Sequence, residues 1–461
     1  MSNPETDDSR SWPECRIQAL PYQEDPGRRF ARIAGENGAV LLDSGRPIAR
    51  RGRFDLFSAW PQIILEPAPG ESGSSFFQRL RQALDQLGPA RLPDGLDLPF
   101  AGGLIGLLGY EFGQRLETLP NRAVRDLDTP PARFGLYAWA LISDHQRRTS
   151  QLLFHPGLPD TERDRLIGLF SAPAGADPQD DFHLLAPFAS DLTTDTYRQA
   201  IERIQAYIQA GDCYQVNYAQ RFRAPCQGAP WPAYRQLRQA CPTPFAGYLA
   251  LERGAVLSLS PERFVQVQQR QVETRPIKGT RPRHADPAID AALAEELRSS
   301  AKDRAENLMI VDLLRNDLGR SCQTGSIRVP ELFALESYPN VHHLVSSITG
   351  TLAQGKDALD LLASSFPGGS ITGAPKIRAM QIIDELEPTG RSIYCGSLLY
   401  LDVRGTLDSS IAIRTLLIQD GQVSCWGGGG IVMDSDWQAE YQETITKVHV
   451  LLQALERTQQ R

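Results

Sequence analysis

The hydrophobic pattern changes character once along the chain. Before residue 170 it predicts strands: "GAVLLDSG" (38–45), "RFDLFSAW" (53–60) and "RFGLYAWALISD" (133–144) are short apolar runs bounded by turn residues. "FAGGLIGLLGYEFGQRLE" (100–117) carries glycines at 102, 103, 106, 109 and 113 and reads as a strand and turn with close backbone contacts. It is not a membrane dimer face, because Glu111 and Arg115 interrupt too short an apolar run. Residues 171–190, rich in Pro, Ala and Asp, predict a linker, and residues 1–15 a disordered N-terminus. The expected division is thus an N-terminal lobe at 16–170 and a second region at 191–456.

Past the linker the period lengthens. In "TTDTYRQAIERIQAYIQAGD", Tyr197, Ile201, Ile204 and Ile208 share a helical face. Thr193, Thr194 or Asp195 serves as N-cap and Gly211 as the end. "CYQVNYAQRF" (213–222) alternates as a strand. One helix is expected over 295–320, with Leu297, Ala301, Ala305, Leu308 and Leu313 as its buried stripe and Gly319 as its stop. The last helix is expected over 435–455, with Ser435 and Gln438 as a capping box. Strands and helices mixed in this way predict an α+β fold.

Composition narrows the class. A chain of 461 residues with 41% hydrophobic and 22% charged residues is an ordinary globular protein. Its net charge of -7 argues against a nucleic-acid or membrane-surface binder, so any basic patch must be local and built for a small anion. No run of 18 apolar residues exists, and "MSNPETDDSR" is the reverse of a secretory signal. Seven scattered cysteines, none in C-x-x-C spacing, indicate neither a disulfide frame nor zinc. The cytoplasm is the expected compartment.

Chemistry-bearing residues cluster late in the chain. Asp303 and Glu306 are three apart and leave one side of a helix, as do Glu440 and Glu443, with Lys447 one turn beyond. Alone, each pair also fits a solvated face. Facing each other, the two pairs would offer hard oxygen ligands of the kind that hold magnesium beside an anionic substrate. In "SSFPGGSITGAPKIRAMQIIDELEP" (364–388), Pro375 suits a first helical position, leaving the amides around Thr372, Gly373 and Ala374 as a carboxylate seat. Four glycines in "CWGGGGIVMDS" (425–435) indicate a backbone passed closely by something else. Arg414, expected on a strand, has a fork suited to a carboxylate, and His343 is a candidate acid or base with His342 as its rival. Lys278, in "ETRPIKGTRPR" (273–283), is either one more solvated cation or a reagent held in place.

Taken together, these segments resemble the chorismate-utilising enzymes. "SLSPERF", "ETRPIKGT", "AENLMIVDLLRNDLGR", "VHHLVSSITG", "FPGGSITGAPKIRAMQIIDELE", "IAIRT" and "GGGIVMDSDWQAEYQETITK" occur in the family's order and spacing. The resemblance covers most of 38–450. It implies a large two-sheet β-sandwich flanked by helices, with both halves of the chain contributing. Within the family, anthranilate synthase large subunits usually carry alanine where this chain has Lys278. Lysine there marks the branch that makes 4-amino-4-deoxychorismate for p-aminobenzoate and folate.

The resemblance assigns roles. Lys278 would attack ring carbon 2 of chorismate as the carbon-4 hydroxyl leaves, with Glu262 as general acid or base. Ammonia would then add at carbon 4 and expel the lysine. Glu306 and Glu443 would bind Mg2+ directly, and Asp303 and Glu440 through waters. Arg414, Tyr394, Thr372, Gly427, Gly428, Gly429 and Lys447 would hold the carboxylates, with His343 near the ring carboxylate or the leaving oxygen. "LLDSG" (41–45) is similar to the family's tryptophan segment, with Ser44 at the amino group, although "CPTPF" (241–245) departs from the usual Asn-Pro-Ser-Pro-Tyr type. No cysteine has a glutaminase setting, so ammonia is expected from a separate glutaminase subunit or from solution. No fused lyase domain is expected. Two other functions remain open: anthranilate synthesis, and a non-catalytic subunit that regulates a partner through tryptophan.

Overall fold

Each strand expected before residue 170 forms, as Val40–Asp43, Phe54–Ser58 and Gly103–Leu108. The stretch 133–144 forms two strands, Ala132–Tyr137 and Trp139–Asp144, one in each of two sheets. All twelve of their residues are buried, because the chain crosses from one sheet to the other at Ala138. The computed structural model describes residues 11–47, 52–172, 181–338 and 341–457.

The sheets have 13 and 10 strands, with antiparallel pairing throughout, and both halves of the chain build each one. In the larger sheet Val40–Asp43 pairs with Phe245–Leu251; in the smaller, Gly103–Leu108 pairs with Ser397–Asp402. Apolar side chains from both, among them Val40, Leu56, Leu104, Val265 and Leu399, share one core. Each such buried side chain contributes roughly 1.5–3 kcal/mol over its exposed state. A second core lies where helices cover the larger sheet, with Phe30, Trp231 and Tyr248 packed edge to face.

The described end of the expected linker belongs to the larger sheet. Phe182–Leu184 and Ala189–Ser190 both pair with the strand Gln215–Gly228, so this stretch is not a free hinge; residues 173–180 lie outside the described residues. At the N-terminus residues 1–10 lie outside them too, while Cys15 is buried and donates its amide to the Arg91 carbonyl at 2.9 Å.

The helix Thr194–Gln209 starts at Thr193, whose hydroxyl accepts from the Thr196 amide, and buries Tyr197, Ile201 and Ile204 as its period requires. The expected helix 295–320 is instead two, Pro287–Ser299 and Ala301–Gly319, broken at Ser300, whose hydroxyl caps the second by accepting from the Asp303 amide. The break changes the buried face. Ala301, Ala305 and Leu308 are exposed and Leu313 is partly so, while Ile310, Val311, Leu314 and Leu318 enter the core. Asn307 and Asp317 are buried among them because each has a partner: Ser346 Oγ donates to Asn307 at 2.6 Å and Lys376 Nζ to Asp317 at 2.7 Å.

The last helix, Trp437–Glu456, is capped by Asp436, whose carboxylate accepts from the Ala439 amide. Ser435 is not the cap; its hydroxyl donates to Glu440 Oε1 at 2.7 Å. No helix among the described residues is long and apolar enough to cross a membrane, and all seven cysteines are free.

Candidate active site

Lys278 lies on the strand Ile277–Pro282, whose register against Val341–Thr351 slips between Ile277 and Thr280. Lys278 and Gly279 occupy this bulge, with Gly279 in the left-handed region at φ 82°. A bulge re-aims a side chain. Here Lys278 Nζ reaches the Ser370 carbonyl at 2.9 Å, while the Ser370 hydroxyl donates to Glu262 Oε1 at 3.0 Å. One residue thus touches both groups.

The residue is half-buried, and its amine is surrounded by protein. Burial lowers its pKa, and Lys447 adds to this, against the opposing pull of Glu262, Glu306 and Glu443. Burial raises the pKa of the Glu262 carboxyl, against the Lys278 charge and the Ser370 hydrogen bond. Glu262 stands where the chain passes from Gly254–Ser260 in the larger sheet to Arg263–Gln268 in the smaller. Ser260 Oγ ties this crossing to a second one by donating to the Ile411 carbonyl at 2.6 Å.

That second crossing carries Arg414. It is not on a strand: it sits just before Thr415–Gln419 in the left-handed region at φ 50°. No hydrogen bond or ion pair to another described side chain engages its guanidinium, which leaves the fork available to an anion. His343 is buried nearby, with Nδ1 2.9 Å from Thr280 Oγ1. Burial and then the Arg414 charge push its imidazole down to about 4, so it is neutral near pH 7. His342, one residue earlier on the strand, is bound to Ser337 and Asp290 instead. His343 is therefore the histidine beside Arg414.

The glycines of Gln422–Ile431 alternate sides, as a strand demands. A methyl on Gly427 would meet the Thr444 carbonyl of the last helix, and one on Gly428 the Tyr394 hydroxyl. One on Gly429 would fall 3.1 Å from Glu440 Oε2 and 3.8 Å from both Glu443 Oε1 and Lys447 Nζ. Lys447 Nζ also donates to the Gly428 carbonyl at 2.9 Å and pairs with Glu443 at 2.6 Å. Tyr394 stacks on Trp426, with ring centroids 6.2 Å apart.

The segment 372–374 differs from the expected helix start. The helix begins at Lys376 with Pro375 as N-cap, the Thr372 amide closes onto the Gly369 carbonyl, and Gly373–Ala374 pairs as a short strand with Gln215–Val216. Thr372 Oγ1 donates to the Gly368 carbonyl at 3.0 Å. These groups shape the turn that carries Ser370 and do not form a free ring of helix amides.

Glu306 and Glu443 interact, and each also feels Lys278. Burial raises the Glu306 and Glu440 carboxyls; at Glu443 burial is outweighed by Lys447 and the group lies below its usual range. Asp303 is held by Arg281 at 3.1 Å. Among the described residues no three His, Cys, Asp or Glu side chains form a ready cage for a metal. The donor set nevertheless fits magnesium, which binds through one or two carboxylates and keeps several waters. Glu440 Oε2 is buried without a hydrogen-bond partner, and the gap above Gly429 opens onto it. An orphaned carboxylate oxygen at such a place calls for a cation or a water.

The family model for chorismate binding enzymes matches residues 52–453. The chain belongs to this family. It is 48% identical over 439 residues to aminodeoxychorismate synthase component 1 of Escherichia coli strain K12, covering 93% of this chain and 95% of that protein. It is 37% identical to anthranilate synthase component 1 of Streptomyces coelicolor, covering 94% and 87%. Among solved structures, anthranilate synthase component I from Streptococcus pneumoniae superposes with a TM-score of 0.78 at 29% identity, over 87% of this chain and 92% of that one. The two-sheet α+β architecture is that of the chorismate binding enzymes.

Sequence reasoning missed Ser370, since a serine in a glycine-rich turn carries no signal of its own. It also missed the pair Arg391–Glu387, buried at 2.7 Å, in which Arg391 further donates to the carbonyls of Ile371 and Asn217. A buried arginine with two carbonyls and a carboxylate pins the turn next to Ser370. Ser44 lies elsewhere, on a cavity of about 1160 Å3 lined from both sheets, and its amide and hydroxyl both donate to Asp55 Oδ1 at 2.7 Å.

Proposed function

We propose that the chain is the chorismate-aminating component of an aminodeoxychorismate synthase, working through a covalent bond between Lys278 and the substrate ring. The observation that carries this is the Lys278–Ser370–Glu262 bridge, an enclosed amine of lowered pKa beside a buried carboxyl of raised pKa. The 48% identity to a protein of that name supports it.

The neutral amine of Lys278 attacks carbon 2 of chorismate. The ring double bonds shift, the carbon 4–oxygen bond breaks, and the Glu262 carboxyl gives its proton to the departing hydroxyl, which leaves as water. Ammonia next attacks carbon 4, the double bonds shift back, and the carbon 2–nitrogen bond to Lys278 breaks. The lysine recovers its electron pair, and the proton shed by the incoming nitrogen returns to Glu262. Chorismate and ammonia thus give 4-amino-4-deoxychorismate and water. An amine already bonded at carbon 2 keeps ammonia from that carbon, which sets the regiochemistry.

Arg414, Lys447 and the backbone at Gly427, Gly428 and Gly429 bind the two carboxylates, and Tyr394 closes the wall behind Gly428. Thr372, Gly373 and Ala374 support them from the turn. Neutral His343 hydrogen-bonds the ring carboxylate or the leaving oxygen. Glu306 and Glu443 would hold Mg2+, with Asp303 and Glu440 supporting it through waters, and the bound metal would supply Lewis-acid chemistry there. Ammonia comes from a separate glutaminase subunit. A tryptophan-sized ligand is the reading for the cavity beside Ser44.

Chorismate, magnesium and an ammonium salt with the purified chain test the reading. The expected main product is 4-amino-4-deoxychorismate. Fluorescent anthranilate as main product overturns it in favour of anthranilate synthesis, and no turnover overturns it in favour of a binding subunit.

A further inference from the structure

Three acids, Glu306, Glu440 and Glu443, face a set of lysines, and the function proposed above uses only two of these. Lys278 is the nucleophile and Lys447 binds a carboxylate. Lys302 has no such task. Its ammonium lies 4.0 Å from Glu306 Oε1, and its charge acts on Glu440 and Glu443 of the last helix as well. It thus contacts Glu306 and adds positive charge to the field at the two acids of the last helix.

Its helix does not explain its place. Lys302 is the second residue of Ala301–Gly319, whose N-cap is Ser300. The aligned amides there disfavour a cation. An exposed i,i+4 pair with Glu306, with the lysine on the N-terminal side, offsets this only in part. What holds a cation at this end is the acidic group on both helices, including Glu440 Oε2, buried and without a hydrogen-bond partner. The side chain of Lys302 is 67% exposed, so it can swing into solvent at little cost.

We propose that Lys302 is the counter-cation of the acidic seat, which an incoming divalent ion must displace. Lys302 then offsets one of the three carboxylate charges before the metal arrives, and metal affinity is held below what the carboxylates would give without it. This rests on the magnesium reading above.

Mn2+ is the probe, with the free ion followed by its EPR signal in the presence of protein and without chorismate. Lys302→Met is expected to bind Mn2+ about three- to tenfold more tightly than wild type, as removal of one positive charge several ångströms from a dication predicts. Lys302→Arg should bind like wild type. The gap between Lys302→Met and wild type should narrow at about 0.5 M salt, where the Debye length falls below 5 Å. Lys302→Gln repeats the test should the methionine variant fold poorly. Equal or weaker Mn2+ binding by the neutral variants overturns the role of Lys302 alone. Wild-type binding that is absent, or that survives Glu306→Gln and Glu443→Gln, overturns the metal seat and the role of Lys302 with it.

Discussion

A methyl group at Gly427 would lie 2.2 Å from the carbonyl oxygen of Thr444. The last helix therefore rests directly on the strand backbone, and this contact sets the height of Glu440, Glu443 and Lys447 above the sheet. Gly429 is different, since a methyl there meets only side-chain ends, the nearest at 3.1 Å. Gly427→Ala is expected to destabilise the fold by about 2–4 kcal/mol, the scale of overpacking against immobile backbone. Gly429→Ala should melt near wild type yet weaken Mn2+ and chorismate binding by tenfold or more, on the order expected for filling a polar seat. Thermal melts beside binding titrations separate the two. Equal loss of stability in both variants would mean that the helix is not positioned at Gly427.

Lys278→Ala removes the amine and its hydrogen bond to the Ser370 carbonyl, and leaves the Ser370 hydroxyl on Glu262. Formation of 4-amino-4-deoxychorismate should fall by about two to three orders of magnitude, the scale for loss of a nucleophile whose electrostatic surroundings remain. Far-UV circular dichroism should be unchanged. Intact-protein mass spectrometry of wild type quenched during turnover should show chorismate minus water added to the chain, and the variant should not. Wild-type product formation by the variant would remove the covalent role.

The sequence made some of this visible because the physics was local. A threonine before an apolar helical stripe placed the start of Thr194–Gln209, and the four glycines announced the close approach that Thr444 makes. The i,i+3 carboxylates were readable for the same reason. Features that depend on register or on a distant partner were not. The bulge that turns Lys278 inward arises from two residues facing one on the strand Val341–Thr351. The bridge through Ser370 joins residues 92 and 108 positions apart. The break at Ser300 and the left-handed Arg414 occur at residues that strands or helices elsewhere accept freely, so tertiary packing decided them.

The raised pKa of Glu262 is also a statement about stability. Its folded-state value lies above its unfolded one, so its contribution is fully present below the usual carboxylate range and is lost as pH rises through the folded value. Above the folded value the carboxylate is a buried charge that weakens the fold. Glu262→Gln keeps an oxygen for the Ser370 hydroxyl and cannot ionise. Its melting temperature should gain on that of wild type as pH rises above 4.5, the ordinary glutamate value, with the gap closing as pH falls back toward it. Its turnover should fall by about 10²–10⁴ through loss of the proton donor. A gap that is constant with pH would show that Glu262 is not the titrating group.

His343 gives the opposite sign. Its folded pKa of about 4 lies below the ordinary 6.5, because burial and the Arg414 guanidinium disfavour the imidazolium. Only the unfolded chain takes up this proton between those values, so the fold loses stability as pH falls from 6.5 to about 4. The full loss is on the order of 3 kcal/mol, about 1.4 kcal/mol for each pH unit between the two values. His343→Asn has no proton to take up across this window. Whatever its stability at pH 7.5, its urea midpoint should decline less than that of wild type between pH 6.5 and 4.5. Carboxyls with raised pKa values, among them Glu262, Glu306 and Glu440, act in the other direction but are common to both proteins. They therefore cancel in the difference between the two curves, provided that the substitution leaves their surroundings intact. Parallel curves would place the imidazole in contact with solvent and remove the basis for a neutral His343 beside the ring carboxylate.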